Sequence, residues 1–248
     1  MGQCIAVVSG KGGTGKTSFT AGVGEALALS GRRVLCLDCD VGLRNLDLAL
    51  GLSDRALMDF SDVAQGRCSL DAAVVEHPQL PGLFLLTAPV RTRGRPVNEG
   101  QMADLLTEVR KRYDFCLLDA PAGLGGGFVL ATAAADRAVV VTTTDTSSLR
   151  DAQHTVMELD RFGSGKLHLV VNRVRRKMLR SMHATIDDAI DKAGLPLIGV
   201  VPEDDALLLS LNRGTPLLLS DGQGAAASAY RNIAKRLQGG KVPLLRIK

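Results

Sequence analysis

The sequence contains no tryptophan, and aromatic residues make up only 3% of its 248 positions. A stacking platform for single-stranded nucleic acid needs aromatic faces in series, so that class of function is excluded. Apolar runs are short, and none approaches the ~18 residues that a membrane-spanning helix requires. Cysteine is sparse and odd in number: Cys4, Cys36, Cys39, Cys68 and Cys116. Most lie in apolar, strand-like runs, which predicts reduced core thiols in a cytosolic protein rather than a disulfide framework. Cys36 and Cys39 have C-x-x-C spacing, but no second pair accompanies them, and LCLDCD reads as a strand leading into a site. Neither sign of charge dominates. A net charge of +4 permits an anionic partner without demanding one. Internal repeats, low-complexity tracts and long Pro/Gly/Ser linkers are also missing. One domain is therefore expected over residues 1–238, followed by a short tail, 239–248.

Hydrophobic residues are plentiful at 46%, and their arrangement is informative. Runs rich in Val, Leu and Ile recur at Cys4–Val8, Val34–Asp38, Leu83–Thr87, Phe115–Asp119, Ala138–Thr142, Leu167–Asn172 and Leu197–Val201. They do not alternate with polar residues, which is the pattern of strands buried on both faces of a parallel sheet. Helix-length segments separate them: Ser18–Leu29, Glu99–Arg112, Ser147–Phe162, Met178–Ala193 and Gly224–Leu237. Strand–helix alternation throughout predicts an α/β fold, a doubly wound, mostly parallel sheet with helices on both faces. Sites in such a fold lie at the carboxyl ends of the strands.

The segment Gly10-Lys11-Gly12-Gly13-Thr14-Gly15-Lys16-Thr17 satisfies G-x-x-x-x-G-K-[ST], follows a strand and opens a helix. Its glycines let backbone N–H groups wrap phosphates, and the helix N-terminus adds partial positive charge. Lys16 is expected to neutralise the terminal phosphates, Thr17 to offer its hydroxyl to Mg²⁺, and Ser18 to complete the cradle. Asp119, ending the strand FCLLD, is the expected second Mg²⁺ contact. Asp38 and Asp40 stand two apart at another strand end. One could orient a water for attack, and the other could sit near Mg²⁺. The Asn-Lys-x-Asp signature of guanine recognition is absent. Asn172-Arg173 and Pro202-Glu203-Asp204 end later strands, and an Asn amide can both donate to and accept from adenine. ATP or ADP with Mg²⁺ is the expected ligand.

The second lysine of the loop, Lys11, has no use in a plain phosphate site. Together with DCDVGLRNLDLALG (38–51), DAPAG (119–123), SSLRDAQ (147–153) and VPEDDALLLSLNRGTPLLL (201–219), the sequence KGGTGKT resembles the MinD/ParA family of P-loop ATPases. The similarity is strongest to the branch that positions bacterial division sites, and it covers roughly residues 3–237. It implies MgATP binding, face-to-face homodimerisation with ATP, and slow hydrolysis. Lys11 would then reach the partner subunit's phosphates. That role has a physical basis, since two apposed triphosphates repel unless each is met by a cation from the other side. By the same resemblance, Asp40 orients the attacking water and is a Mg²⁺ contact, with Asp38 beside it. Asn45 lies near the interface. Asn172, Pro202 and Asp204 frame adenine. Ser148, Arg150 and Asp151 present an exposed helix face to partners. The implied partners are a division inhibitor of the MinC type, an activating or topological partner (MinE-like or a polar scaffold) and an anionic membrane surface. The implied location is cytoplasmic, peripheral on the inner face of the cell membrane when ATP is bound.

Two basic features stand apart from the motif set. The tail LQGGKVPLLRIK mixes Val242, Leu244, Leu245 and Ile247 with Lys241, Arg246 and Lys248, a composition suited to an interfacial anchor. It is also short. Five residues after Pro243 make little more than a helical turn, so a packed terminal segment is the competing reading. The run Arg173, Arg175, Arg176, Lys177 and Arg180 could meet lipid, an acidic partner or DNA backbone, as in a ParA-type DNA-positioning ATPase, or stay solvated. The patch RTRGRP (91–96) reads as an exposed loop.

Overall fold

The structure, a computed structural model, describes residues 1–53, 55–91, 95–163, 165–181 and 185–245. Strand β1 (Gln3–Val8) leads into helix α1 (Lys16–Leu29) and then β2 (Val34–Asp38). Three short helices follow: α2 (Leu46–Ala49), α3 (Phe60–Ala64) and α4 (Leu70–Ala73). After them come the two-residue β3 (Val75–Glu76) and β4 (Leu83–Leu86). The chain continues through α5 (Glu99–Arg112), β5 (Phe115–Asp119), α6 (Gly126–Ala133), β6 (Arg137–Thr142) and α7 (Thr146–Glu158). It ends with β7 (Leu167–Val174), α8 (Arg176–Ser181), α9 (Ile186–Ala193), β8 (Leu197–Pro202), α10 (Asp205–Arg213), α11 (Leu217–Ser220) and α12 (Ala225–Leu237).

Among the described residues the sheet has eight strands in the order β3-β4-β2-β5-β1-β6-β7-β8. Every pairing is parallel except β3 with β4. The central strands are buried at almost every position, as their unbroken apolar runs predict. Successive side chains point to opposite faces. Cys4, Ala6 and Val8 therefore join one core with α5 and α6, while Ile5 and Val7 join the other with α1 and α12. The C-x-x-C pair divides the same way, Cys36 in one core and Cys39 in the other. All five thiols are free, and burial pushes the Cys36 and Cys39 thiols up. The reading of reduced core thiols stands.

Local chemistry sets the helix ends. Asn98 and Gln101 form a capping box at the start of α5, and Arg110, Lys111 and Arg112 oppose the negative end of its dipole. The expected single helix 178–193 is instead two. Another capping box, Thr185 with Asp188, starts α9 afresh. The expected helix 147–162 stops at Glu158 and closes with a 3₁₀ turn, Asp160–Phe162. Helix α12 ends at Leu237, and Gly239, just beyond its C-cap Gln238, turns the chain with a φ of 86° that suits glycine. Arg236 then donates to the Val242 carbonyl at 3.0 and 2.5 Å and to the Ile198 carbonyl at 2.5 Å, and Leu245 packs against the core. The described part of the tail thus lies on the body; Arg246, Ile247 and Lys248 fall outside the described residues. Among the described residues no helix is long and apolar enough to cross a membrane.

Helix α1 carries the phosphate loop, and it approaches α12 closely at Gly22. A Cβ there would lie 2.2 Å from a ring carbon of Tyr230, which is fully buried. Alanine improves helix propensity by about 1 kcal/mol, but overpacking a rigid ring outweighs it. Gly22→Ala is expected to lower stability by up to about 2 kcal/mol net, read as a reduced urea midpoint.

Candidate functional site

Strand adjacency places the site. β5 lies between β2 and β1, with Asp38 opposite Asp119 and Val7 opposite Asp119 in register. β6 lies on the other side of β1. The loops after β1, β2, β5 and β6 therefore open at one edge, where the winding direction reverses.

The loop Ser9–Gly15 turns from β1 into α1, whose first turn is Lys16, Thr17 and Ser18. Gly15 has φ 86°, and a Cβ on it would lie 2.4 Å from the Asn172 amide nitrogen, so any other residue would be strained and would clash. Gly10 is squeezed against the Asp151 carbonyl, 2.5 Å from its notional Cβ. Gly12 and Gly13 leave the loop open, and the hollow beside Lys11–Thr14 encloses about 450 Å³. Two buried polar atoms at this loop have no partner among the described residues: Thr14 Oγ1 and Asn172 Oδ1. The Asn172 amide nitrogen meanwhile donates to the Thr14 carbonyl at 2.8 Å. Buried orphans of this kind fit a site that a polar ligand completes.

Lys16 is only 7% exposed. It donates to Ser9 Oγ at 2.8 Å, and Ser9 in turn donates to the Lys11 carbonyl at 2.7 Å. Burial depresses its ammonium pKa, while Asp119 and Asp40 oppose that shift. Asp119, fully buried, accepts from Thr17 Oγ1 at 2.6 Å and Thr20 Oγ1 at 3.4 Å. Burial raises its carboxyl to about 7, reinforced by Asp38 and opposed by Thr17 and Lys16. Thr17 and Asp119 are thus together, a hydroxyl and a carboxylate of the hard-oxygen type that suits Mg²⁺. Asp40 lies within the field of Lys16, and burial raises its pKa against that field. Asp38 is turned into its own loop. It accepts from the Asp40 amide at 2.8 Å and the Leu46 amide at 3.2 Å, and burial raises it to about 6. Asn45, at the start of α2, is exposed.

The strand ends beyond β1 also converge on the loop. Arg173, at a positive φ of 54°, donates to the Gly13 carbonyl at 3.1 Å and pairs with Glu203 at 3.3 Å. Arg175 shares Glu203. Pro202 closes β8, and Asp204 caps two helices at once, accepting from the Ala206 and Ala226 amides at 3.0 Å each.

Lys11 points away from this cluster. Its ammonium lies 3.1 Å from Asp145 and 2.8 Å from Ser147 Oγ. Asp145 caps α7, and bonds from Thr143, Ser148 and Ser147 hold its carboxyl far below the usual range despite burial. The sequence reading passed over Asp145, and likewise Ser9, although Asp-Thr-Ser-Ser ahead of an apolar helix is a cap signal. On α7, Ser148 is 2% exposed and bonded inward to Asp145, whereas Arg150 is exposed. Ser148 therefore does not belong to the outward face expected of it.

The fold and the loop define a P-loop nucleotide-binding protein. A profile of the CobQ/CobB/MinD/ParA nucleotide binding domain matches residues 5–217. The septum site-determining protein MinD of Synechocystis sp. is 39% identical over 246 residues, covering 99% of this chain and 92% of that one. Among solved structures, the MinC:MinD cell division protein complex of Aquifex aeolicus matches with a TM-score of 0.90 at 35% identity, covering 98% of both chains. The septum site-determining protein MinD of Pyrococcus horikoshii, complexed with Mg-ADP, matches with a TM-score of 0.84 at 30% identity, covering 96% of both. The chain belongs to the CobQ/CobB/MinD/ParA nucleotide-binding family.

The buried carboxylates make the ligand-free protein sensitive to pH. Asp119 titrates at about 7 when folded and near ~3.9 when unfolded. The folded state therefore holds its proton longer, and the stabilisation present at low pH is lost as pH rises through about 7. In EDTA without nucleotide, wild type is expected to lose up to about 4 kcal/mol relative to Asp119→Asn between about pH 4 and 8. Urea denaturation of both proteins across that range measures the difference.

Proposed function

We propose that this chain is a MinD-like ATPase switch. It binds MgATP, dimerises face to face, associates with an anionic membrane surface and recruits a division inhibitor, as the Aquifex complex pairs MinD with MinC. Slow hydrolysis, stimulated by a second partner, resets it. Each residue has a physical task. Backbone amides of Gly10–Gly15 and the start of α1 face the phosphates, and Lys16 neutralises them. Thr17 and Asp119 hold Mg²⁺, which would shield the phosphate charge. Asp40 orients the attacking water, while Asp38 holds the loop that carries Asp40. Asn172 offers its free carbonyl oxygen toward the base, and Pro202, Glu203 and Asp204 form the far wall.

The observation that carries the dimer reading is the position of Lys11. Its side chain is 36% exposed and its ammonium is held by Asp145 and Ser147, outside its own phosphate cluster. An exposed ion pair is worth only about 0–1 kcal/mol. A partner's triphosphate, carrying several charges, would outcompete it. Lys11→Ala is expected to abolish the ATP-dependent dimer while nucleotide binding survives. Asp40→Ala is expected to slow turnover at least about tenfold, consistent with the loss of a water-positioning group, and to trap the dimer. Sedimentation velocity with ATP and a phosphate-release assay check both. An unchanged dimer in the first variant, or unchanged turnover in the second, would remove the assignment concerned.

A second reading is a ParA-type ATPase that positions DNA. Glu203 takes up Arg173 and Arg175, but Arg176, Lys177 and Arg180 are exposed and have no ion pair among the described residues. Co-sedimentation of the ATP-loaded chain with anionic liposomes, and separately with nonspecific duplex DNA, separates the two. Liposome binding lost on removing residues 239–248 supports the membrane reading. DNA binding lost in an Arg176→Glu/Arg180→Glu variant supports the other.

A further inference from the structure

The edge of the sheet opposite the phosphate loop carries a hollow of its own, of about 460 Å³. Parallel strands start there: Gln3 of β1 is level with Phe115 of β5, and Arg137 opens β6. Helix α12 ends at the same edge, where Gln238 and Gly239 line the hollow. Three arginines from separate parts of the chain also line it: Arg32 ahead of β2, Arg137, and Arg236 in the last turn of α12. Asp114 is the one acid of the lining among the described residues, and its carboxylate already accepts from the Arg33 amide at 2.9 Å.

None of the three arginines has an ion pair among the described residues. Their partners are neutral. Arg32 donates to the Gln238 side-chain oxygen at 2.9 Å, Arg137 to the Leu237 carbonyl at 3.2 Å, and Arg236 to the Val242 and Ile198 carbonyls. Arg110 provides the contrast: it is also partly buried, but Asp136 meets it at 3.1 Å. Arg137 and Arg236 are partly buried without such a carboxylate, and burial pushes both guanidinium pKa values down. A guanidinium stays charged in a protein, and removing it from water without a counter-anion is costly. The carbonyls at the end of α12 offer the negative pole of a helix dipole, which amounts to roughly half an elementary charge. Against three cations that leaves a positive excess.

Donor number decides which anion fits. A carboxylate presents two oxygens in one plane, and a single guanidinium fork can satisfy both. A phosphate ester presents three acceptor oxygens and up to two charges, which suits several guanidiniums at once. The volume exceeds what a bare ion fills and lies within the ~300–1,000 Å³ of ligand sites, so the organic group of an ester has room. The tail departs from this point as well, since Gly239 is in the wall and Arg236 holds the Val242 carbonyl at 3.0 Å.

We propose that this hollow binds the phosphate group of a phosphate ester, held by Arg32, Arg137 and Arg236 at the edge of the sheet remote from the nucleotide. The ester can be a free small molecule or the headgroup of an anionic lipid, and two arms of one experiment distinguish them. Both arms use the full chain saturated with Mg²⁺ and a nonhydrolysable ATP analogue, so that the phosphate loop is filled. In the first, glycerol phosphate is titrated calorimetrically. In the second, the chain is co-sedimented with phosphatidylcholine vesicles with and without phosphatidylglycerol. Each arm compares wild type with Arg32→Glu, Arg137→Gln and Arg91→Glu. Arg91 is exposed and does not line the hollow, so its variant makes the same charge change elsewhere. The expected result is binding that weakens at least about tenfold in Arg32→Glu and Arg137→Gln and holds in Arg91→Glu. Circular dichroism melting controls for folding. Should Arg137→Gln fail to fold, the exposed Arg32→Glu decides alone. This pattern with glycerol phosphate alone assigns a free ester, and the same pattern with phosphatidylglycerol vesicles assigns a lipid headgroup. No binding in either arm, binding unchanged in Arg32→Glu, or an equal loss in Arg91→Glu would overturn the proposal.

Discussion

A nearly buried lysine governs the architecture of the site. Lys16 sits at the start of α1 and is only 7% exposed, and a cation so placed is stable only with nearby countercharge. Asp119 and Asp40 supply it. Neither could do so unless β5 lay beside β1 and β2 beside β5, with strand ends level. The parallel register therefore does two jobs. It builds the core, and it brings two chain segments, more than 20 and 100 residues from the loop, to a single charge cluster. The cluster is unbalanced without a ligand, since carboxylates there hold protons at unusually high pH. A divalent cation with a polyphosphate would relieve that imbalance, because the metal displaces the carboxyl protons and the phosphates satisfy the lysine.

The same adjacency explains what could be read from sequence. The seven long strands were legible because doubly buried strands must be continuously apolar, and the phosphate loop because its glycines are needed at fixed offsets. The short helices α2, α3, α4 and α11 span four or five residues. That is too short for a 3.6-residue period to register, so they were invisible. The break between α8 and α9 was missed for a different reason: helical apolar spacing continues across it, and only the cap chemistry of Thr185 and Asp188 marks the restart. Ser148 was misplaced because a sequence motif does not say which side of a helix faces the core. Its hydroxyl is committed inward to Asp145.

The contact between Lys11 and Asp145 could not have been inferred from local sequence at all. The two residues are separated by 134 positions, and they meet because β6 pairs with β1, so the loops leaving those strands are neighbours. Asp145 is the more heavily committed partner. Its carboxylate accepts four bonds, from Thr143, Ser147 and Ser148, before Lys11 is counted. Losing Lys11 would therefore leave Asp145 well satisfied. The lysine is held loosely by a residue that does not depend on it, which is the asymmetry required of a group that changes partners.

That asymmetry separates two kinds of surface on the same edge of the sheet. On the β1–β6 side, polar groups are paired but exchangeable, and the loop between them opens to solvent. On the β2–β5 side, behind Asp40, lies a second hollow of about 590 Å³ with apolar walls from Phe60, Val97, Val129 and Leu130. Asp40 stands between them, in the field of Lys16 and in the wall of the second hollow. Its loop is held by Asp38 through two backbone amides. It is held too by the Cys39 amide donating to the Asp119 carbonyl at 2.9 Å and the Gly42 amide donating to the Pro89 carbonyl at 3.2 Å, and by the buried Cys39 and Leu46 on either side of it. Each such hydrogen bond is worth about 0.5–1.5 kcal/mol net, and together they fix Asp40 relative to the strand ends. Asp40 therefore belongs to both surfaces, and the level strand ends of β2 and β5 that place it beside Lys16 also place it in the wall of the hollow.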